Sequence, residues 1–392
     1  MTSDRVGILD SRATPHLGLL HGCMLLSGFG MVFLGPVLPL LAANAHATDS
    51  GSGLFFTAQF VGSFFGGVTT SRRLWFSLIR GSAAAAAGFA ALALCTQVHA
   101  SPLVDAAALL PLGFGVGQML TSANLLASER FVEGRGAALA RVNFSLSLGA
   151  VFAPFLLGWL LSSVALFPLL LAAAVFFALC CVAALINAKQ PSLIATQGQE
   201  GGAAPERLSR TAFIYFAALL LLYGGVETSI SGWITTFGTR YGANTLRLST
   251  LGATALWIGI TAGRGLAPMV LKRMQERTLL TATLVASAVL MALLSAASGA
   301  ASIIGLALLL GMALASWFPL VLSAMLSEGA TAGEAGTVIA VSGLGAASLP
   351  FLVGAVSRGT GSLRVALLVP LFALLVLLAM SFRRSRTSAP TA

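Results

Sequence analysis

Residues 213–237 read FIYFAALLLLYGGVETSISGWITTF. The run is long enough to cross a bilayer, for which about 20 apolar residues suffice. Its one charge is Glu227, the only acid deep inside any apolar segment of the chain. A carboxylate in hydrocarbon is costly unless it faces protein, water or a ligand, so an acid at this depth either serves function or sits protonated against a neighbouring helix. The cost favours function. Tyr223 and Ser231 stand one turn before and after it on the same helix face. Gly224 and Gly225 thin the helix beside it and allow a bend or a close ligand approach.

The rest of the chain is built alike. Of 392 residues, 57% are hydrophobic and 9% charged, and the mean hydropathy is +0.94, whereas soluble domains carry roughly 25% charged residues. This composition describes an all-α polytopic membrane protein with room for about twelve spans. Long apolar runs, in place of short alternating strands, exclude an outer-membrane barrel. Spans are expected at 17–42, 53–70, 74–96, 102–127, 137–161, 164–187, 211–237, 247–270, 278–298, 301–326, 335–357 and 362–382. The polar, Gly/Ala/Gln-rich stretch 188–210, with Pro191 and Pro205, divides the chain. It separates an N-terminal six-helix bundle (1–187) from a C-terminal one (211–392). The first span is too long for a cleaved signal segment and reads as a retained helix.

The net charge of +10 is not a nucleic-acid signal, because the basic residues sit at span ends. With both termini cytoplasmic, sixteen Lys and Arg fall on the inner side and four, Arg240, Arg247, Arg358 and Arg364, on the outer. That bias predicts cytoplasmic termini in a cell's inner (cytoplasmic) membrane. Cys23, Cys95, Cys180 and Cys181 lie inside expected spans with no CxxC motif or histidine cluster beside them. They read as buried thiols, with no metal or other cofactor implied.

The halves repeat. Gly149, Ala150, Pro154, Phe155 and Gly158 recur as Gly345, Ala346, Pro350, Phe351 and Gly354, each shifted by 196, half the chain length. Gly62 and Gly66 recur as Gly259 and Gly263, shifted by 197. Two like-oriented sets of six spans are the parallel halves of a major facilitator transporter, and the whole chain resembles the major facilitator superfamily. Tyr223, Gly225, Glu227 and Trp233 resemble the signature of its fucose-permease-like sugar-transporter branch. Asn124, Glu129, Arg135, Asn143, Gly149 and Pro154 are similar to the same branch. Two departures stand out. The loop after the second span keeps Arg72 and Arg73 but lacks the superfamily's acidic residue. The first and fourth spans lack deep carboxylates, Asp105 lying at the outer mouth of the fourth, which argues against proton coupling of the fucose-symporter kind.

A sugar site needs carboxylate, amide and hydroxyl groups for the hydroxyls and an aromatic face for the C–H side of the ring. The sequence offers Gln59 in the second span, Gln118 and Asn124 in the fourth and Asn143 in the fifth. Tyr223, Glu227 and Trp233 follow in the seventh, Trp257 in the eighth and Trp317 in the tenth. Glu227 is the expected polar anchor and the one carboxylate placed to carry a proton. Each has a plainer alternative. Gln59 and Gln118 could bridge helices. Asn124 and Asn143 could cap or link helices near the inner side. Trp159 reads as an interfacial-belt residue, and Trp233 as belt or site alike. His21 reads as a packing residue more than a proton relay. Arg72, Arg73, Glu129, Arg135, Arg264 and Glu328 are gating candidates, able to form ion pairs that break as the inner side opens.

The expectation is a monomeric secondary or facilitative transporter of a monosaccharide or similar small polar solute, working by alternating access, with symport or uniport left open. Its partners would be that solute, membrane lipids and, under symport, protons. A proton-coupled drug or metabolite exporter of the same fold is the alternative, and a lipid-handling membrane protein is the more distant one. No GxxxxGK[ST] loop, HExxH motif or Ser/His/Asp set supports ATP drive or an enzyme.

Overall fold

The structure, a computed structural model, describes residues 14–71, 73–130, 135–188, 208–242 and 245–387. Fifteen helices account for nearly all of them. In the first half they are α1 (Thr14–Val32), α2 (Leu34–Asn44), α3 (Asp49–Val68), α4 (Leu74–Gln97), α5 (Pro102–Arg130), α6 (Arg135–Leu160) and α7 (Leu166–Ala188). In the second half they are α8 (Arg210–Tyr241), α9 (Leu246–Leu271), α10 (Glu276–Ala296), α11 (Ala300–Leu314), α12 (Trp317–Ser327), α13 (Ala332–Thr360), α14 (Leu363–Ala366) and α15 (Leu368–Thr387).

Three spans are broken, and each break has the same cause. A proline inside a helix lacks the N–H owed to the carbonyl four residues back and its ring crowds that carbonyl. Pro36 ends α1 at Val32, and α2 departs at 46°. Pro319 and Pro370 likewise stand four residues after Ala315 and Ala366, where α11 gives way to α12 and α14 to α15.

Ten spans among the described residues are long and apolar enough to cross a membrane, and the bent α1–α2 pair makes an eleventh. The twelfth expected span, α3, is 20 residues long but falls outside that set because glycine, serine and polar residues crowd it. Those small residues serve packing. A Cβ on Gly62 or Gly66 would overlap the α5 backbone at Leu110 and Phe114, and one on Gly113 or Gly117 of α5 would overlap α3 at Gln59 and Ser63. Reciprocal small residues of this kind let two helices approach closely in a membrane.

The repeat seen in the sequence holds contact by contact. Gly149 on α6 faces the carbonyl of Leu25 and the amide of Phe29 on α1, and Gly345 on α13 faces the carbonyl of Leu221 and the amide of Gly225 on α8. Gly28 meets Leu146 as Gly224 meets Ser342. Every member of these sets is shifted by 196. Gly259 and Gly311 join α9 to α11 through Leu308 and Leu256, as Gly62 and Gly113 join α3 to α5.

The halves touch through α3 and α13, α6 and α9, and α2 and α8. These contacts concentrate at the far end, opposite the end where α7 stops and α8 starts. There Gly53 packs on Phe351, Gly158 on Thr250 and Gly35 on Gly232, and the Thr57 hydroxyl donates to the Ala347 carbonyl at 2.8 Å. Toward the near end the halves part. A Cβ on Gly343 would reach only Phe64, at 3.9 Å, and Gly18, Gly22, Gly265, Gly333 and Gly336 have open space beside them.

Candidate functional site

The middle of α8 carries the site. It is packed by α9, α12, α13 and α15, and at its far end by α2. Val226 and Thr228 are buried while Glu227 between them is half-buried. Tyr223, one turn earlier, is 2% exposed, and Glu227 and Arg264 of α9 both lie near it. The Tyr223 ring stacks on Trp317 with centroids 5.2 Å apart and planes 19° from parallel. Phe318 lies 6.3 Å away.

The carbonyl of Leu314, the last residue of α11, accepts the Tyr223 hydroxyl at 3.1 Å. Trp317 begins α12 shortly after. The indole N–H groups of Trp317 and Trp257 are both buried without a partner. A buried donor left unpaired costs about 1–3 kcal/mol, so two in one half of a protein call for a reason. Trp257 and Arg264 stand seven residues apart on α9 and so share a helix face.

The polar candidates of the first half are drawn elsewhere. Gln59, 2% exposed, donates to the carbonyls of Gly30 and Met31 at 3.0 and 3.3 Å and so ties α3 to α1. Gln118 accepts from Arg80 Nε at 2.9 Å. Arg80 also donates to Thr69 and lies over the rings of Phe76 and Phe114. Asn143 donates to Asn124 at 2.8 Å, linking α6 to α5, and each amide also donates to its own helix. Trp233 is fully buried at the far end, where its indole donates to Pro350 at 3.0 Å. The structure thus brings together Glu227, Tyr223, Trp317 and Arg264, and leaves Gln59, Gln118, Asn124, Asn143 and Trp233 in separate contacts.

Of the gating candidates, Arg264 joins the site. Arg73, Glu129 and Glu328 are exposed at the near end. Arg72 lies outside the described residues, as does the side chain of Arg135. His21 meets the Ser145 hydroxyl at 2.7 Å. No cluster of His, Cys, Asp and Glu able to hold a metal forms among the described residues.

Sequence reasoning missed the groups that fasten the far end. Arg240, in the last turn of α8, holds Asp49, the first residue of α3, at 2.5 and 2.8 Å. The Ser357 hydroxyl donates to the same carboxylate at 2.5 Å, and Arg358 donates to Ser50 at 3.1 Å. Asp49 stands just before the second expected span and Arg240 just after the seventh. Nothing in the sequence paired them.

A sequence profile of the Major Facilitator Superfamily matches residues 20–343. The chain belongs to the Major Facilitator Superfamily. It is therefore a multi-pass membrane transporter of small solutes. No curated protein matches the chain. Among solved structures it is similar to a point mutant of the nucleoside transporter NupG, at a TM-score of 0.74 and 12% identity, covering 94% of this chain and 99% of that one. It is also similar to NupG without the mutation, at 0.71 and 15% identity, covering 96% and 98%. At these identities the likeness is one of fold. The superfamily member described here shares its overall fold with them.

Proposed function

We propose that this protein carries a monosaccharide or a similar small polyhydroxylated solute by alternating access, as a member of the fucose-permease-like branch. The supporting observation is the half-buried Glu227 beside Tyr223 and Arg264, with the stacked Tyr223–Trp317 pair at its side. A carboxylate accepts two hydroxyls, a guanidinium donates to ring and hydroxyl oxygens, and an aromatic face takes the C–H side of a sugar. No ion pair joins Glu227 to Arg264 among the described residues, so the carboxylate can accept solute hydroxyls. Any proton that travels with the solute would still use Glu227, the carboxylate nearest the solute.

By the charge bias, the near end is cytoplasmic, both termini lie inside and the membrane is the cell's inner one. The chain then works as an N-terminal bundle (1–187), a linker (188–210) and a C-terminal bundle (211–392), rocking about the site as a monomer. Gln59, Gln118, Asn124, Asn143, Trp233 and Trp257 support the site in this scheme. Arg72, Arg73, Glu129, Arg135 and Glu328 close the near end when the far end opens.

A nucleoside is the second reading. The stacked aromatic pair suits a flat base as well as a sugar, and NupG, of the same fold, is a nucleoside transporter. Counterflow of labelled D-glucose, L-fucose and uridine in proteoliposomes decides between them. Failure of all three would reject the proposal, and uridine alone would move it to nucleosides.

A further inference from the structure

A cleft of about 510 Å³ opens at the far end, between α2, the start of α3 and the end of α8. It is separate from the Glu227 site. Thr236, on its wall, is nine residues beyond Glu227, or roughly 13 Å along the helix axis. Between them lie Trp233, fully buried, and Gly232 packed on the Phe56 ring.

The wall is polar and not fully committed. Asp49 and Arg240 both line it, with side chains 18% and 39% exposed. Arg240 spends two N–H groups on Asp49, and a guanidinium has five. Thr236 lines the cleft, and its hydroxyl is buried without a partner. Thr239, Thr250, Thr254 and Thr261 each donate to a carbonyl of the preceding turn, the usual refuge of a helical hydroxyl. Thr236 does not, although residue 236 is only 6% exposed. Thr235 shares the lack of a partner but does not line the cleft.

We propose that this cleft is a second solute site, a vestibule that holds a polyhydroxylated solute against the closed far end through Arg240, Asp49 and Thr236. It rests on the function proposed above and takes the same class of solute. A hydroxyl donating to Asp49 and another accepting from Arg240 compete with the ion pair that fastens the halves. Occupancy of the vestibule thereby weakens the latch and links arrival of solute to opening.

Thr239→Cys places a thiol on the cleft wall for labelling in detergent by a charged thiol reagent. Wild-type protein, whose four cysteines are buried or half-buried, gives the background. D-glucose and uridine are the probes. Protection of the thiol by either solute is expected to persist in Glu227→Gln, to be lost in Thr236→Val and to return in Thr236→Ser. Protection lost in Glu227→Gln would show that the cleft only follows the central site, and undiminished protection in Thr236→Val would show that its hydroxyl holds nothing. Either result overturns the vestibule. Counterflow of the same two solutes, run on the same protein, separates the two proposals. Transport without protection removes the vestibule alone, and failure of both solutes in counterflow removes it together with the function it rests on.

Discussion

Asp49 and Arg240 stand 191 residues apart in the chain and meet carboxylate to guanidinium across the two halves. Each is favoured where it sits before the other arrives. Asp49 opens α3, where exposed backbone N–H groups suit an anion, and Arg240 lies in the last turn of α8, where free carbonyls suit a cation. Ser357 of α13 adds a third hydrogen bond to the same carboxylate. Helices from both halves are therefore fastened at one point, at the end where their backbones already touch.

Neutralising that latch should loosen the far end without unfolding either half. Partly exposed ion pairs are worth about 1 kcal/mol or less, so Asp49→Asn should raise the open fraction up to about fivefold. Labelling of Ser52→Cys, at a residue 2% exposed in the closed form, measures the fraction. The charge exchange Asp49→Arg with Arg240→Asp should restore slow labelling. Fast labelling in the exchanged protein would mean that the pair is not the latch.

Much of this architecture was legible from residue types alone. Apolar runs marked the spans, and the glycines repeated at 196 turned out to be the points where each helix crossing needs no side chain. What the sequence could not order were pairings between distant elements. Gln59 and Gln118 are polar residues in oil whether they meet a sugar, Gly30 or Arg80. Likewise α3 is a span by packing more than by hydropathy, because its small residues are spent on α5. Glu227 was conspicuous for its cost, but its approach to Arg264 depends on how α9 is turned against α8, which no local pattern reports.

The glycine crossings should be intolerant in matched pairs. Gly149→Ala and Gly345→Ala each drive a methyl into a backbone carbonyl of the crossing helix. Each should destabilise by about 1–3 kcal/mol, as overpacking does. Gly265→Ala, with nothing near its added carbon, should be neutral or slightly stabilising, since alanine orders a helix better than glycine. Thermal unfolding in detergent compares the three. Equal behaviour of Gly265→Ala and Gly149→Ala would refute the close crossing.

The amide pair should matter for packing more than for solute. Asn143→Leu removes the bond to Asn124 that links α6 to α5, worth about 1 kcal/mol between helices in a membrane. Unfolding temperature should fall, while the affinity for the carried solute changes far less than in Glu227→Gln. A collapse of binding with unchanged stability would put Asn143 back among the solute contacts.

Glu227 and Arg264, which both lie near Tyr223 without forming an ion pair, give the most discriminating test of the central site. If Glu227 is the polar anchor, Glu227→Gln loses a charged acceptor, and hydrogen bonds to charged groups are worth about 1.5–3 kcal/mol, so binding should weaken roughly 10- to 100-fold. Arg264→Ala does something different. It leaves the half-buried carboxylate without a nearby guanidinium, which destabilises the fold as well as the site. Removing both members relieves that strain, because one uncompensated buried charge is worse than none. Thermal unfolding should therefore rank wild type above the double variant and the double variant above Arg264→Ala, with solute binding lost in both variants. Single effects on stability that simply add would show that the two groups do not interact. Glu227 would then stand as an isolated acid, and the case for it as a proton carrier would return.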